Sequence, residues 1–111
     1  MAKYRKTMVV EHEAFQYDGD LKGSNGEYYV PNWAVRAYKN KVLYYYWDGI
    51  NIPELYIMGQ SASVADEKVL VGDYIVQDTM GDIFVLDSKT FEHIYEKYSG
   101  WIKNFTDTKI A

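Results

Sequence analysis

Residues 42–58 read VLYYYWDGINIPELYIM, and this stretch decides the fold class. Residues 42–47 and 54–58 are rich in the aromatic and β-branched side chains that favour strands. Between them, Asp48 followed by Gly49 is a turn signal typical of β-hairpins. The stretch therefore predicts two antiparallel strands joined by a turn.

Further strands are predicted on both sides of this hairpin. The mixed alternation of residues 7–17 predicts a strand before it, ended by Asp18-Gly19-Asp20. After it, residues 74–77 and 82–86 flank a turn at 79–81 and predict a second hairpin. Shorter extended pieces are expected at 27–30 and 69–71, with a loop or weak edge strand at 59–66.

Two short helices complete the pattern. Pro31 suits a first helical turn and predicts a helix over 31–39. Asp87 or Ser88 is a suitable N-cap for a second helix that ends near Gly100. The expected core-facing residues are Trp33, Ala34, Ala37 and Tyr38 in the first helix, and Phe91, Ile94, Tyr95 and Tyr98 in the second. The order predicts a single α+β domain, a mostly antiparallel sheet with two short helices packed on it, and a docked or mobile tail at 99–111.

Composition excludes several classes of protein. The 111 residues contain no cysteine, so disulfides, thiol nucleophiles and thiolate metal sites are ruled out. The net charge of -4 makes direct nucleic-acid binding unfavourable. No run of about 18 apolar residues is present, and the first residues are charged too early for a signal peptide. We therefore expect a cytoplasmic protein without a membrane partner.

The titratable residues do not form a recognisable catalytic or metal-binding pattern. His12 lies between two glutamates whose side chains alternate across a strand, and His93 fits a solvated helix face. Asp18 and Asp20 resemble the start of a calcium loop, but the twelfth loop position is Tyr29 instead of glutamate. The sequence predicts a binding protein without metal or cofactor, and not an enzyme.

The run of aromatic residues at 44–47 is the strongest binding candidate. Alternation sends Tyr44 and Tyr46 to one face, and Tyr45 and Trp47 to the other. An exposed pair could stack a base or anchor an interface, whereas a helix and the tail could instead cover both faces. The residues predicted to bind a partner or ligand are Tyr44, Tyr46, Trp47, Asp18, Asp20, Arg5 and Arg36.

Several segments resemble a family of small phage and prophage proteins. RKTMVV at 5–10 and EAFQY at 13–17 look like an opening in which R-K-K-P-V-V-V leads into E-A-F-Q. VGDYIV at 71–76 resembles the P-G-D-Y segment that names the PGDYG family, although Val71 replaces the proline. The resemblance covers most of residues 3–97, including YYVPNWAV at 28–35, GDIF at 81–84 and TFEHIYE at 90–96. It implies fold and origin, and it carries over no catalytic residue.

The resemblance implies a phage-derived accessory protein that acts stoichiometrically. The leading expectation is an anti-defence inhibitor that binds a host protein, as anti-CRISPR proteins do, with carboxylates that mimic DNA phosphates. Those carboxylates would be Asp18, Asp20, Glu54, Asp66, Glu67, Asp73, Asp78 and Asp82. One alternative is a nucleotide-binding sponge that uses Arg5, Lys6 or Arg36 beside exposed rings. Another is a phage structural or assembly component, for which stable homo-oligomers are expected.

Overall fold

A computed structural model describes residues 12–96 of the chain. Six strands and two helices occur in this range, in the order strand, helix, five strands, helix. The elements are β1 (Glu13–Gln16), α1 (Asn32–Lys39), β2 (Leu43–Tyr46), β3 (Glu54–Ile57), β4 (Glu67–Val69), β5 (Tyr74–Gln77), β6 (Ile83–Leu86) and α2 (Ser88–Glu96).

The strands form two antiparallel sheets of three strands each. The first sheet has the order β1-β5-β6, so its first strand pairs with one that lies about sixty residues later, Phe15 opposite Ile75. The second sheet is a simple meander, β2-β3-β4, in which Leu55 of the central strand lies between Tyr45 and Val69. Local pairing therefore builds the second sheet, and long-range pairing closes the first.

One core lies between the two sheets and α1. Its fully buried side chains include Leu43 and Leu55 from the second sheet and Ile75 from the first. The helix contributes Trp33 and Ala34 to the same cluster. Because apolar surface from all three layers is removed from water together, the sheets are expected to unfold as one unit.

The two sheets differ on their other faces. Helix α2 covers the outer face of the first sheet, where Phe91 and Tyr95 pack around Val76. The ring of Phe91 stacks on Tyr74 at a centroid distance of 3.8 Å. In residues 12–96, no helix packs on the outer face of the second sheet. The outer faces of the two sheets are therefore covered differently.

The α+β prediction is confirmed, with one difference in the arrangement of strands. Helix α1 begins one residue after Pro31, and Asp87 caps α2 by accepting a 2.8 Å bond from the Thr90 backbone N–H. The strands divide between two sheets instead of forming one. Residues 27–30 form no strand and contribute a single bridge between Tyr28 and Lys22. The predicted tail at 99–111, Tyr98 and the start of the first strand lie outside the described residues.

Across residues 12–96, neither helix has the length and apolar character that crossing a membrane requires.

Candidate functional site

Three tyrosines form an ordered array on the outer face of the second sheet. Alternation along β2 turns Leu43 into the core and Tyr44 and Tyr46 away from it. Tyr56 of β3 lies directly opposite Tyr44 in the strand register. We call Tyr44, Tyr46 and Tyr56 the tyrosine face. Sequence reasoning identified Tyr44 and Tyr46 and missed Tyr56. An alignment of the two strands of the hairpin would have placed Tyr56 beside them.

The rings of the tyrosine face contact one another in two geometries. Tyr44 and Tyr56 stack with centroids 5.8 Å apart and planes 15° from parallel. Tyr46 meets Tyr56 edge-on, at a centroid distance of 6.3 Å and an angle of 84°. Both geometries suit the charge distribution of aromatic rings. The result is a pre-ordered aromatic surface, with Tyr46 53% exposed at its end.

Asp66 fastens the loop at 59–66 to this face. One carboxylate oxygen accepts the hydroxyl hydrogen of Tyr44, and the other accepts the Gly59 N–H at 2.8 Å. The bond from Gly59 and then the bond from Tyr44 lower the pKa of Asp66. The same hydrogen bond raises the pKa of the Tyr44 phenol. Asp66 therefore fixes both the loop and one ring of the tyrosine face.

One ion pair lies beside the tyrosine face. Lys68 of β4 is opposite Tyr56 and donates a 2.8 Å hydrogen bond to Glu54 of β3. The bond to Glu54 raises the pKa of Lys68. Both side chains are more than 40% exposed, so the pair contributes little to stability. The pair does neutralise Lys68, the cation that lies opposite Tyr56.

A second exposed group lies in the loop between β2 and β3. Trp47, Ile50 and Ile52 are 62%, 89% and 84% exposed, and we call them the hairpin tip. The loop is ordered by Asp48, whose carboxylate accepts the N–H groups of Ile50 and Asn51 and the Asn51 side-chain amide, each at 2.8 Å. The bonds from Asn51 and Ile50 lower the pKa of Asp48. Because β2 ends at Tyr46, strand alternation does not set the direction of Trp47.

Three of the four hydrogen bonds that Asp18 and Asp20 accept come from backbone N–H groups of their own turn. Asp18 accepts a hydrogen bond of 2.6 Å from the Tyr29 hydroxyl and one from the Asp20 N–H. Asp20 accepts the N–H groups of Leu21 and Lys22. The bond to Asp18 raises the pKa of Tyr29 to about 12. These contacts account for the aspartates as turn residues, in the manner typical of Asx turns.

Of the two predicted arginines, only Arg36 lies in the described part of the chain. Arg36 is exposed in the last turn of α1, and Arg5 lies outside the described residues. Among the predicted acidic residues, Asp73 and Asp78 accept backbone N–H groups of their own turns. Turn formation thus explains four of the eight acidic residues that were considered as phosphate mimics: Asp18, Asp20, Asp73 and Asp78.

Several interior polar contacts escaped sequence reasoning because their partners are distant in the chain. Tyr17 and Tyr45 share a 2.9 Å hydrogen bond between their hydroxyls, and burial raises the pKa of both. His12 bonds the Tyr95 hydroxyl at 2.9 Å, joining the start of β1 to α2. Within residues 12–96, no group of three or more His, Asp or Glu side chains could hold a metal ion.

Acid is expected to weaken the turns that depend on ionised carboxylates. Hydrogen bonds hold the pKa of Asp48, Asp66 and Asp87 below the ordinary 3.8. A lowered folded-state pKa contributes stability above the unfolded-state value, and this is lost as pH falls through the folded-state value. We therefore expect the unfolding temperature to decrease when the pH is lowered below about 4. Calorimetry from pH 7 to 2 checks this, and the variant D48N/D66N should show a shallower fall.

The fold and its exposed surfaces define a small α+β domain with a tyrosine face and a neighbouring apolar tip. Comparisons with protein-family models, with curated proteins and with solved structures gave no match. The resemblance to the PGDYG family therefore stays a prediction.

Proposed function

We propose that this protein acts stoichiometrically, by binding a host protein through the tyrosine face. One observation carries the proposal: in residues 12–96, a helix covers the outer face of the first sheet, whereas no helix covers the equivalent face of the second, where the tyrosines are bordered by the loop at 59–66. On this proposal the protein works in the bacterial cytoplasm as a phage-derived anti-defence inhibitor. The anti-defence role rests on the family resemblance, and the binding mode rests on the face.

The chemistry of the face suits a protein partner. Tyrosine offers a large contact area and a hydroxyl while losing few side-chain rotations on binding. Ring contacts already order Tyr44, Tyr46 and Tyr56, which reduces the entropy that a partner's binding would remove. Tyrosine is one of the residue types enriched among the few that supply most of the binding energy of an interface.

Charge gives no support to a nucleotide ligand at this face. Residues 42–67 contain no lysine or arginine, so they offer no cation to a phosphate. Lys68, beside the rings, is already paired with Glu54. Stacking on tyrosine remains available, but a nucleotide would bring its negative charge to an acidic surface. A protein partner is therefore the better match.

The variant Tyr46→Thr/Tyr56→Thr is expected to abolish function while leaving the fold intact. Threonine keeps the strand preference and removes both rings. The efficiency of phage plating on cells with nuclease-based defence systems should increase when the wild-type chain is expressed. With the variant, it should equal the efficiency on the same cells without the protein. Loss of two interface tyrosines should also weaken partner capture by about 100-fold or more.

Tyr29→Thr is the matched control, because Tyr29 is 52% exposed and lies outside the face. It should plate and capture like the wild type. The proposal fails if no defended strain is rescued and the double variant captures the same host proteins as the wild type. Stabilisation by cyclic nucleotides would instead support the sponge, and a stable homo-oligomer without a host partner would support the assembly role.

A further inference from the structure

We infer that the free edge of β6 is a docking site for an extended segment of another protein, which joins the first sheet as an additional antiparallel strand. The segment is apolar along its length and carries a cationic residue at its carboxyl end. This site belongs to the first sheet, whereas the tyrosine face belongs to the second. The inference therefore goes beyond the proposed function and does not depend on it.

The hydrogen-bond pattern directs backbone groups of β6 away from its neighbour. The Asp78 N–H donates to the Asp82 carbonyl at 2.9 Å, so these two residues form a hydrogen-bonded pair at the end of the β5–β6 ladder. Such pairs alternate along antiparallel strands, so Phe84 forms the next one. Ile83 and Val85 instead turn their N–H and C=O groups away from β5. In residues 12–96, β6 is the last strand of its sheet, so these donors and acceptors have no partner strand.

The other edge strands have features with which natural sheets prevent strand addition. β1 lies beside α1, where the Trp33 indole N–H donates to Glu13 at 2.9 Å. β2 follows α1 in the chain, and Val42 just before it donates its N–H to the Ala37 carbonyl of that helix. β4 has only three residues, and one of them is the charged Lys68. Within residues 12–96, β6 is the edge without such a feature, because its sequence IFVL includes neither a charge nor a proline.

The side chains of β6 favour an apolar occupant on both faces of an added strand. Phe84 and Leu86 pack with α2 on one face, and Ile83 packs with the shared core on the other. Each of these three side chains is only partly buried. An added strand would cover more of them, because side chains of neighbouring strands lie next to each other on each face. A continuous apolar run is therefore expected, as in strands that are buried on both faces.

Charge at the two ends of β6 sets the polarity of the occupant. Asp78 and Asp82 lie at the turn where β6 begins, and residues 69–88 contain no lysine or arginine. At the other end, Asp87 has Lys89 close by in the first turn of α2. An antiparallel segment has its carboxyl end beside the acidic turn, so a lysine or arginine is favoured there. A second copy of β6 would place an aliphatic side chain at that position, so a different protein is the better match.

Amide hydrogen exchange measured by NMR tests the site with defined peptides. The probes have the same composition, acetyl-Thr-Val-Ile-Val-Thr-Lys-Lys-amide and acetyl-Lys-Lys-Thr-Val-Ile-Val-Thr-amide. In the free chain, the Ile83 and Val85 amides should exchange faster than the Phe84 amide, which bonds β5. The first peptide should slow the exchange of Ile83 and Val85 by about tenfold or more. The second has its lysines at the wrong end and should bind about threefold more weakly.

Two substitutions at Ile83 separate the backbone donor from the side chain. Ile83→Pro removes an outward N–H without breaking a bond to β5, and proline is tolerated at such edge positions. The first peptide should then leave the exchange of the Val85 amide unchanged. Ile83→Ala shortens the same side chain but keeps the N–H, so the peptide should still slow exchange at Val85. Slow exchange of the Phe84 amide in both variants checks that β5 and β6 remain paired.

Each alternative occupant has its own signature in the wild-type chain. Slow exchange of Ile83 and Val85 in the free chain at every protein concentration would overturn the site, because the chain's own terminal residues would then pair with β6. Exchange that slows as the protein concentration rises would overturn it in favour of a second copy. No effect of either peptide would overturn strand addition, and equal effects of both would overturn the cationic end.

The tyrosine variant separates this inference from the proposed function. Tyr46→Thr/Tyr56→Thr should bind the first peptide like the wild type, because the two sites lie on different sheets. If that variant loses its host partner and the peptide leaves β6 unaffected, the docking edge is wrong and the proposed function stands. If the peptide protects Ile83 and Val85 while the variant keeps its host partner, the proposed face is wrong and the docking edge stands.

Discussion

Replacing Leu55 with alanine is expected to lower the free energy of unfolding by about 3 kcal/mol. Leu55 is 1% exposed and lies on the central strand of the second sheet, where its side chain enters the core shared with the first sheet and α1. Close neighbours on every side cannot collapse fully into the space that the substitution leaves. Since small domains are stable by only about 5–15 kcal/mol, this loss is a large fraction of the total.

Leu70→Ala provides the matched control for this prediction. Leu70 follows β4 directly but is 55% exposed, so the same substitution should change stability by less than about 0.5 kcal/mol. Chemical denaturation followed by circular dichroism measures both variants. Two separate transitions in Leu55→Ala, or a loss no larger than that of Leu70→Ala, would show that the two sheets do not share a core.

Local sequence signals predicted most of the secondary structure, because each depends on residues that are close in the chain. The β2–β3 and β5–β6 hairpins follow from β-prone runs around Asp48-Gly49 and residues 79–81. The buried side of α1 follows from the spacing of Trp33, Ala34 and Ala37. The cap of α2 follows from an aspartate three residues before Thr90, the geometry that N-caps use.

The division into two sheets could not be predicted, because it depends on pairing between distant residues. Phe15 lies opposite Ile75, and no periodicity in residues 7–17 indicates this partner. The alternation there was unclear for a physical reason. Ala14 packs toward α2 while Phe15 packs toward the shared core, so both faces of β1 are covered and neither had to be polar.

Only part of the candidate site could be predicted. Strand alternation placed Tyr44 and Tyr46 together, but Tyr56 required the register of the hairpin. Ile50 and Ile52 carried no signal, because isoleucine is normally buried and their exposure depends on the loop that Asp48 orders. Asp18 and Asp20 were predicted to bind a partner, whereas in the structure their carboxylates accept backbone hydrogen bonds that shape a turn.

Replacing Gly59 with alanine is expected to cost about 3 kcal/mol of stability and to release the loop at 59–66. A Cβ at this position would lie 1.9 Å from the carbonyl oxygen of Val64 and 2.8 Å from its carbonyl carbon. Both are backbone atoms, so no side-chain rotation can relieve the overlap. The loop must move instead, and that movement would break the bond from the Gly59 N–H to Asp66.

Gly26→Ala separates this spatial effect from an ordinary glycine effect. Gly26 has a φ of +83° and open space around it, so alanine there should cost only about 1–2 kcal/mol of backbone strain. The backbone of Gly59 is not in that left-handed region. Glycine is required at position 59 only because there is no space for a Cβ atom. In Gly59→Ala, NMR titration should show the Asp66 pKa rising toward its ordinary 3.8 and the Tyr44 pKa falling toward 10.0. Unchanged values for both groups would mean that the loop tolerates the Cβ and does not hold the tyrosine face.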